Sequence, residues 1–345
     1  MPSPVPAVEH YAELLASGAL PSDALCLTAV RGLSTAEALA RFDAAGTTRP
    51  TTLADAGAAT TNAFPDQLPL VVVSEHDGWV VLVENNGFRG AVPRTLARLS
   101  EGSVAASAYW NVDFDSALAL ARDGAVVGSY EFTIGGDPPP GPLAPLLDGL
   151  DFEDATVLCA SALAFVERVS GVRLDADWAA AAHPTAVVDP AGPAAPAGWL
   201  AVNAPEVSAA LPGADPAVLR DLASEVAARA RAATGADPAS EHERADDLAA
   251  LSRAAYHRAL ELRWDRCTPP DEVDPIARLR AEQVRRRADT TEEHALVARS
   301  HAYAAAMAAL APNPADAVAE AVVHACWADR PNWDSLRAAL AARLT

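Results

Sequence analysis

Two alternating apolar runs on either side of Asp77-Gly78 form the clearest pattern in the chain. Residues 70–74 and 79–83 are rich in β-branched side chains. An Asp-Gly pair between such runs predicts a β-hairpin, because both turn residues tolerate positive φ. Successive side chains of the second run point to opposite faces, and both sets are apolar as far as Val83. A strand that is apolar on both faces is typical of the inside of a sheet.

Four further apolar runs extend this hairpin into a predicted sheet of about six strands. They cover residues 25–31, 103–111, 116–122 and 125–133. The last two are joined at Asp123-Gly124, which is the signature of a second hairpin. Two hairpins close together in the chain favour a mixed, mainly antiparallel sheet.

Helices are predicted around these strands. Ser34 and Glu37 have the spacing of a capping box at the start of a helix over 35–42. Pro93 suits the first turn of a second helix, over 93–100. Apolar residues recur at intervals of three and four over 152–171, which predicts a third helix that covers the sheet. Residues 44–66 lack periodicity and are predicted to form a loop.

The second half of the chain has a different pattern. Residues 183–214 are rich in Pro, Ala and Gly and are interpreted as a connector. Beyond it only helical patterns occur, beginning with Asp215 as the cap of a helix that has Pro216 at its first position. The predicted fold class is therefore α+β: a sheet domain over 1–182, the connector, and an all-α helical bundle over 215–345.

Composition limits the classes of partner. The chain has 345 residues and a net charge of −20, and its basic residues are all arginine. Residues 1–200 carry 24 acidic residues and 9 arginines, so most of the negative charge belongs to the sheet domain. A field of this sign repels polyanions, which argues against nucleic-acid binding and against attachment to an anionic membrane.

Cysteine spacing and hydropathy predict a cytoplasmic protein. The four cysteines are far apart in the sequence and form no CxxC pair, so neither a disulfide framework nor a zinc site is indicated. The first ten residues lack the basic and apolar regions of a signal peptide, and no apolar run is long enough to span a membrane.

Histidines in the helical half give only a weak indication of a metal site. His294 and His301 lie two turns apart on one predicted helix, and His257 and Glu261 form an i, i+4 pair. A protein metal site needs three or four convergent ligands, and no HExxH-type motif is present. Exposed histidines on helix faces remain the simpler interpretation, and no cofactor is predicted.

Two other clusters were weighed for chemistry. The arginines of 278–287 spread over more than one helix face and fit an acidic surface better than DNA. Glu75, His76 and Asp77 could carry acid–base chemistry, but neighbours on one turn point apart and turns favour these residue types anyway. The sequence shows no G-x-S-x-G, Walker or GxGxxG motif after a strand, so no catalytic residue is assigned.

Aromatic and polar residues near the strand ends are the candidates for a binding surface. Tryptophan and tyrosine anchor protein interfaces disproportionately, although aromatic residues at strand ends more often complete a core. The candidate binding residues are Trp79, Glu84, Asn86, Tyr109, Trp110, Asn111 and Asp113.

Four segments in one order resemble a family of actinobacterial proteins that is filed as a domain of unknown function. The segments are C26-L-T-A-V-R-G-L33, G78-W-V-V-L-V-E-N-N-G87, S107-A-Y-W-N-V112 and E167-R-V-S-G-V-R-L-D-A-D-W178. The likeness spans residues 25–178. It implies an α+β, cytoplasmic protein without an established activity, and it supplies no catalytic residue.

Two functions from different classes remain open at this point. The first is a non-enzymatic interaction protein, regulatory or immunity-like, whose acidic sheet domain binds a basic protein partner while the helical domain docks or dimerises. The second is an enzyme of undetermined class with a pocket between the two domains. Buried, convergent polar residues would favour the enzyme, and an exposed acidic face would favour the interaction protein.

Overall fold

The sequence folds into a sheet unit followed by a helical unit. The computed structural model describes residues 6–44, 46–134, 141–189, 196–236, 244–268 and 290–344. The sheet unit holds the described residues up to Val188 together with Cys267 and Thr268. The helical unit holds those from Asp189 to Arg266 and from Thr290 to Leu344.

One sheet of eight strands organises the first unit, and its described strand pairs are antiparallel. The strands are β1 (Leu25–Arg31), β2 (Arg49–Thr51), β3 (Leu70–His76), β4 (Trp79–Asn85), β5 (Val104–Trp110), β6 (Ser116–Arg122), β7 (Ala125–Tyr130) and β8 (His183–Val187). Their spatial order is β2-β8-β3-β4-β1-β5-β6-β7. The predicted α+β class and the mainly antiparallel pairing are confirmed, whereas the predicted mixed character and the number of about six strands are wrong.

The two strands missing from the sequence prediction are short and contain proline. Strand β2 has three residues with Pro50 at its centre, and β8 has five with Pro184 as its second residue. Proline removes a backbone donor and weakens a strand signal. Strand β8 nevertheless lies inside the sheet, between β3 and the short edge strand β2. It occupies the first residues of the segment that was interpreted as a connector.

The β3–β4 hairpin has the predicted turn and the predicted interior position. Asp77 and Gly78 take φ values of 44° and 83°, as a two-residue turn of this kind requires. Strand β4 pairs with β3 on one side and β1 on the other. Its apolar side chains from Val80 to Val83 are buried on both faces of the sheet.

Helices cover both faces of the sheet. They are α1 (Pro6–Ala16), α2 (Thr35–Arg41), α3 (Leu53–Asn62), α4 (Pro93–Leu99), α5 (Ala144–Leu147), α6 (Leu158–Ser170) and α7 (Ala176–Ala180). Leu39 and Phe42, at the end of α2, and Leu96 of α4 share one core with Val80 and Leu82. Helix α6 packs against β1 and β5, and α1 packs on α6.

Two of these helices confirm the sequence pattern and two differ from it. The capping box of Ser34 and Glu37 is present at α2, and α4 begins at Pro93. Helix α6 begins at Leu158, six residues later than predicted. The predicted loop over 44–66 is wrong, because it contains β2 and the helix α3, which Thr52 caps. Gly57 and the threonines of α3, which have low helix propensity, hid that helix.

The described residues of the second half form α8 (Pro196–Asn203), α9 (Pro205–Ala210), α10 (Pro216–Thr234), α11 (Ala245–Cys267), α12 (Thr291–Ala309), α13 (Pro314–Ala328) and α14 (Trp333–Leu344). Helices α10, α12 and α13 pack on one another around a core rich in alanine. Asp215 caps α10 as predicted, with its carboxylate accepting from the Ala217 N–H at 2.7 Å. The arginines of 278–287 lie outside the described residues. No described helix is long and apolar enough to cross a membrane.

Candidate binding groove

Three loops meet at one end of the sheet, which we call the loop end. They are residues 86–92 after β4, 111–115 between β5 and β6, and 131–134 after β7. They meet because antiparallel pairing brings Leu25, Asn85 and Trp110 level with one another and Trp110 level with Ser116. The loops enclose an open groove of about 680 Å³. Apolar and polar residues line it together, among them Asn86, Phe88, Tyr109, Asn111, Asp115 and Glu131.

Asn111 organises the loop between β5 and β6. Its side-chain oxygen accepts from the backbone N–H groups of Asp113 (3.0 Å) and Asp115 (2.9 Å). Its side-chain N–H group donates to the Tyr109 hydroxyl (2.9 Å) and to the Asp115 carboxylate (3.0 Å). An asparagine that bonds backbone groups two and four residues ahead fixes a tight turn. The loop is therefore held in one conformation by its own side chain.

Phe114 lies at the tip of this loop in an unusual backbone conformation. Its φ is 67°, and its side chain is 77% exposed. A left-handed conformation is costly for a residue with a large side chain and persists only where surrounding contacts impose it. The Phe114 N–H donates to the Asn111 carbonyl at 3.2 Å, and the Phe114 carbonyl accepts from the Thr133 hydroxyl. These contacts hold an aromatic side chain in solvent.

Glu84 fixes the loop of residues 86–92 from below. Its buried carboxylate accepts from the backbone N–H groups of Arg89 (3.0 Å) and Gly90 (2.9 Å). Gly90 passes so close to β1 that an added Cβ would lie 1.9 Å from the Thr28 hydroxyl. Only glycine fits this close approach. Phe88 is left 54% exposed, with its ring centroid 6.3 Å from that of Tyr109.

A buried polar layer lies beneath the loop of residues 86–92. The Thr28 hydroxyl donates to the Ser107 hydroxyl at 3.1 Å, and the Cys26 sulfur lies 3.6 Å from that same oxygen. Burial raises the pKa of Cys26 well above its usual range and raises the pKa of Glu84 to about 6, although the Gly90 and Arg89 N–H groups favour its charged form. The thiol is therefore protonated at neutral pH and is not activated as a nucleophile.

The rim of the groove combines apolar and acidic side chains. Phe88, Val112, Phe114 and Ile134 are the exposed large apolar residues of these loops. The carboxylates of Asp113, Asp115 and Glu131 lie among them on the surface. Burial and the nearby Asp115 carboxylate also raise the pKa of Tyr109, which keeps its hydroxyl neutral. An exposed apolar patch bordered by polar groups marks an interaction surface in many proteins.

The structure brings five of the seven candidate binding residues to the loop end. They are Glu84, Asn86, Tyr109, Asn111 and Asp113. Trp110 points to the face of the sheet opposite to Tyr109 and is buried, with its indole N–H donating to the Ser22 carbonyl at 2.8 Å. Trp79 is half-buried at the other end of β4.

Sequence reasoning missed Phe88, Phe114 and Glu131 of this surface. One signal could have found Phe114, since a large apolar residue between two aspartates in a short loop cannot reach the core easily. No sequence signal placed Glu131 in a loop, because the predicted strand continues to residue 133 whereas β7 ends at Tyr130.

The contiguous trio of Glu75, His76 and Asp77 does not converge. The Glu75 carboxylate accepts from the Thr35 N–H (2.8 Å) and hydroxyl (2.6 Å), whereas Asp77 forms the hairpin turn. The Nε2 atom of His76 lies 2.8 Å from the Ser74 hydroxyl oxygen, which also accepts from the Trp178 indole at 3.0 Å. These contacts attach α7 to the sheet, and the three side chains share no site.

Comparison with known proteins gives a family and no activity. The model of a family described as "Family of unknown function (DUF6461)" matches residues 16–192, which contain the sheet and the groove. Neither the curated proteins nor the solved structures contain a match to the chain. The match confirms the resemblance to a family of unknown function that the four sequence segments indicated.

Proposed function

Because the chain belongs to the DUF6461 family of unknown function, we propose its function from the geometry of the loop end. The protein is a non-enzymatic interaction protein, regulatory or immunity-like, that binds a basic protein partner through the groove. A cytoplasmic location is part of this proposal. All four cysteines are free thiols, and three of them are buried, which suits a reducing compartment.

The exposed side chain of Phe114 is the observation that carries the proposal. A large aromatic side chain in solvent costs free energy unless a partner covers it, and here the backbone is also held in a strained conformation to display it. A loop that is already ordered loses little entropy on binding. Rigid aromatic anchors of this kind are the usual energetic centres of protein interfaces.

Charge supports a basic partner. The sheet unit carries most of the net charge of −20, and Asp113, Asp115 and Glu131 surround the apolar rim. Opposite potentials accelerate association and disfavour wrong partners. Ionic attraction of this type weakens with salt, because the Debye length falls from about 10 Å at 0.1 M to about 3 Å at 1 M.

The polar chemistry of the groove supports interaction over catalysis. The Glu84 carboxylate is used in hydrogen bonds to the loop of residues 86–92, and the Cys26 thiol beneath that loop contacts the Ser107 hydroxyl of β5. Asp115 and Glu131, which line the groove, are exposed, and the Asp115 carboxylate accepts a hydrogen bond from the Asn111 side chain. Catalytic sites instead tend to hold buried, convergent titratable groups.

Salt-dependent capture with charge variants tests this proposal. The bait with Asp113→Asn and Glu131→Gln should retain several-fold less of a basic protein at 0.1 M salt than the unchanged chain, and both should retain little at 1 M. The control bait, Asp77→Asn with Asp123→Asn, loses the same charge at the two hairpin turns and should behave as the unchanged chain.

Two outcomes would contradict the proposal. One is equal loss with the groove bait and the turn bait, which would assign the attraction to net charge alone. The other is no retained protein at low salt together with a thermal shift from a small metabolite, which would favour the enzyme. Capture of nucleic acid would show instead that the charge argument is wrong.

A further inference from the structure

Two histidines of the helical unit meet across neighbouring helices. His301 of α12 and His324 of α13 lie with their Nδ1 atoms 3.2 Å apart and their ring centroids 5.5 Å apart. The sequence had suggested His294 and His301 as a pair on one helix, but the structure places His301 beside His324 instead. The contact forms because α12 and α13 pack closely along their alanine-rich faces.

We propose that His301 and His324 form a binding site for a late first-row divalent metal ion, with Zn²⁺ as its reference ion. Two imidazole nitrogens bound to one tetrahedral zinc ion at about 2.0–2.1 Å lie about 3.3 Å apart. The observed separation of 3.2 Å between the two Nδ1 atoms matches this geometry without movement of either helix. Imidazole nitrogen is a ligand that zinc, nickel and copper share.

The protonation state of the pair suits a metal. The 3.2 Å contact between the two Nδ1 atoms is a hydrogen bond in which one ring nitrogen donates and the other accepts, so the accepting imidazole is neutral, as a metal ligand must be. In the metal-free contact one ring donates its Nδ1 hydrogen to the other. When a metal replaces that hydrogen, the donor ring carries its proton on Nε2, so no net proton is released.

The surroundings leave room for further ligands. Both imidazoles are half-buried, so solvent reaches them. Within the described part of the chain no carboxylate, thiol or third imidazole groups with this pair, so water completes the coordination. Trp327 stacks on the His301 ring, with centroids 6.2 Å apart and planes 26° apart, and 46% of its side chain is exposed.

Calorimetric titration of the full chain with zinc chloride is the first test. We expect one zinc ion per chain. His301→Asn and His324→Asn should each lower the affinity for zinc by about tenfold or more, since each removes one ligand. The control variant His257→Asn removes a half-buried imidazole of α11, outside the pair, and should bind zinc as the unchanged chain does. Cu²⁺ should bind more tightly than Zn²⁺, and Mg²⁺ should not bind.

Tryptophan fluorescence gives a second test that keeps both histidines. Copper at this site should quench Trp327, which touches a ligand ring, and Trp327→Phe should remove that part of the quenching while calorimetric binding persists. Absence of saturable binding would overturn the proposal. So would unchanged binding in both histidine variants, or quenching that does not depend on Trp327. Variants are compared only after far-UV circular dichroism shows native helix content, and the Trp327 readout decides if neither histidine variant folds.

Discussion

The two ends of the sheet are built differently. At what we call the turn end, the hairpins close with Asp77-Gly78 and Asp123-Gly124, each the shortest connection that two antiparallel strands allow. At the loop end, the chain uses longer loops that hold Phe88 and Phe114 in solvent. The turn residues show no exposed large apolar side chain within the described part of the chain.

This difference separates folding from function within one sheet. The Asp-Gly turns fix register and require only backbone conformation. The loops require more interactions to stay in place. They need the buried Glu84 carboxylate and the four hydrogen bonds of the Asn111 side chain, which donates two and accepts two. Because so many polar contacts hold the loops that expose these aromatic side chains, we infer that the side chains function at the surface.

The largest expected effect comes from glycines at the two ends. Gly90→Ala should lower the free energy of unfolding by about 3 kcal/mol, because the new Cβ would lie 1.9 Å from the Thr28 hydroxyl. Gly124→Ala should lower it by about 1 kcal/mol, since that residue has φ +82° but its new Cβ would meet only the Glu101 side chain, at an ordinary contact distance of 3.5 Å. Urea unfolding of both variants measures the difference. Equal losses would mean that the loop over β1 can move aside.

The next largest expected effect is the pH dependence of stability that Glu84 contributes at the loop end. The pKa of Glu84 is about 6 in the folded chain and about 4.5 when exposed, so protonation favours the folded state. Its contribution is present at low pH and is lost as pH rises between these values, by about 2 kcal/mol. Relative to Glu84→Gln, the unchanged chain should therefore be less stable at pH 7 than at pH 4. A pH-independent difference in unfolding free energy would contradict this.

Glu75, beside the hairpin of the turn end, should behave in the opposite sense. Hydrogen bonds from the Thr35 hydroxyl and N–H lower the pKa of its carboxyl. Its contribution is present at neutral pH and is lost as pH falls through the folded pKa. Relative to Glu75→Gln, the unchanged chain should lose stability on acidification, and the same unfolding series measures this sign.

A smaller effect on stability is expected from Asn111. Asn111→Ala removes four hydrogen bonds of a half-exposed side chain and should cost about 1.5 kcal/mol. It should also increase amide hydrogen exchange at Asp113 and Asp115, because both N–H groups lose their acceptor. Asp113→Ala is the control in the same loop and should change stability by less than about 0.5 kcal/mol. Unchanged exchange in the Asn111 variant would show that other contacts hold the loop.

These contrasts also explain which parts were predictable from the sequence. The hairpins were, because Asp-Gly turns and alternating runs are local signals. Strands β2 and β8 were not, since they are short, contain proline and exist through pairing with distant residues. Asn86, Tyr109 and Asn111 were found through their positions at strand ends. The exposure of Phe114 and the contact of His301 with His324 depend on tertiary structure, which periodicity does not report.

Partner binding by Phe114→Asn tests the central claim most directly. Asparagine tolerates the left-handed conformation at this position and leaves the charge unchanged, so the loop should persist and stability should change by less than about 0.5 kcal/mol. The matched control is Val202→Asn, a similar loss of an exposed apolar side chain in the helical unit. For the basic protein captured at low salt, calorimetry should show affinity reduced by about thirtyfold or more for Phe114→Asn, the loss typical of an interface anchor. Val202→Asn should leave the affinity unchanged. Equal affinities for Phe114→Asn and the unchanged chain would contradict the account.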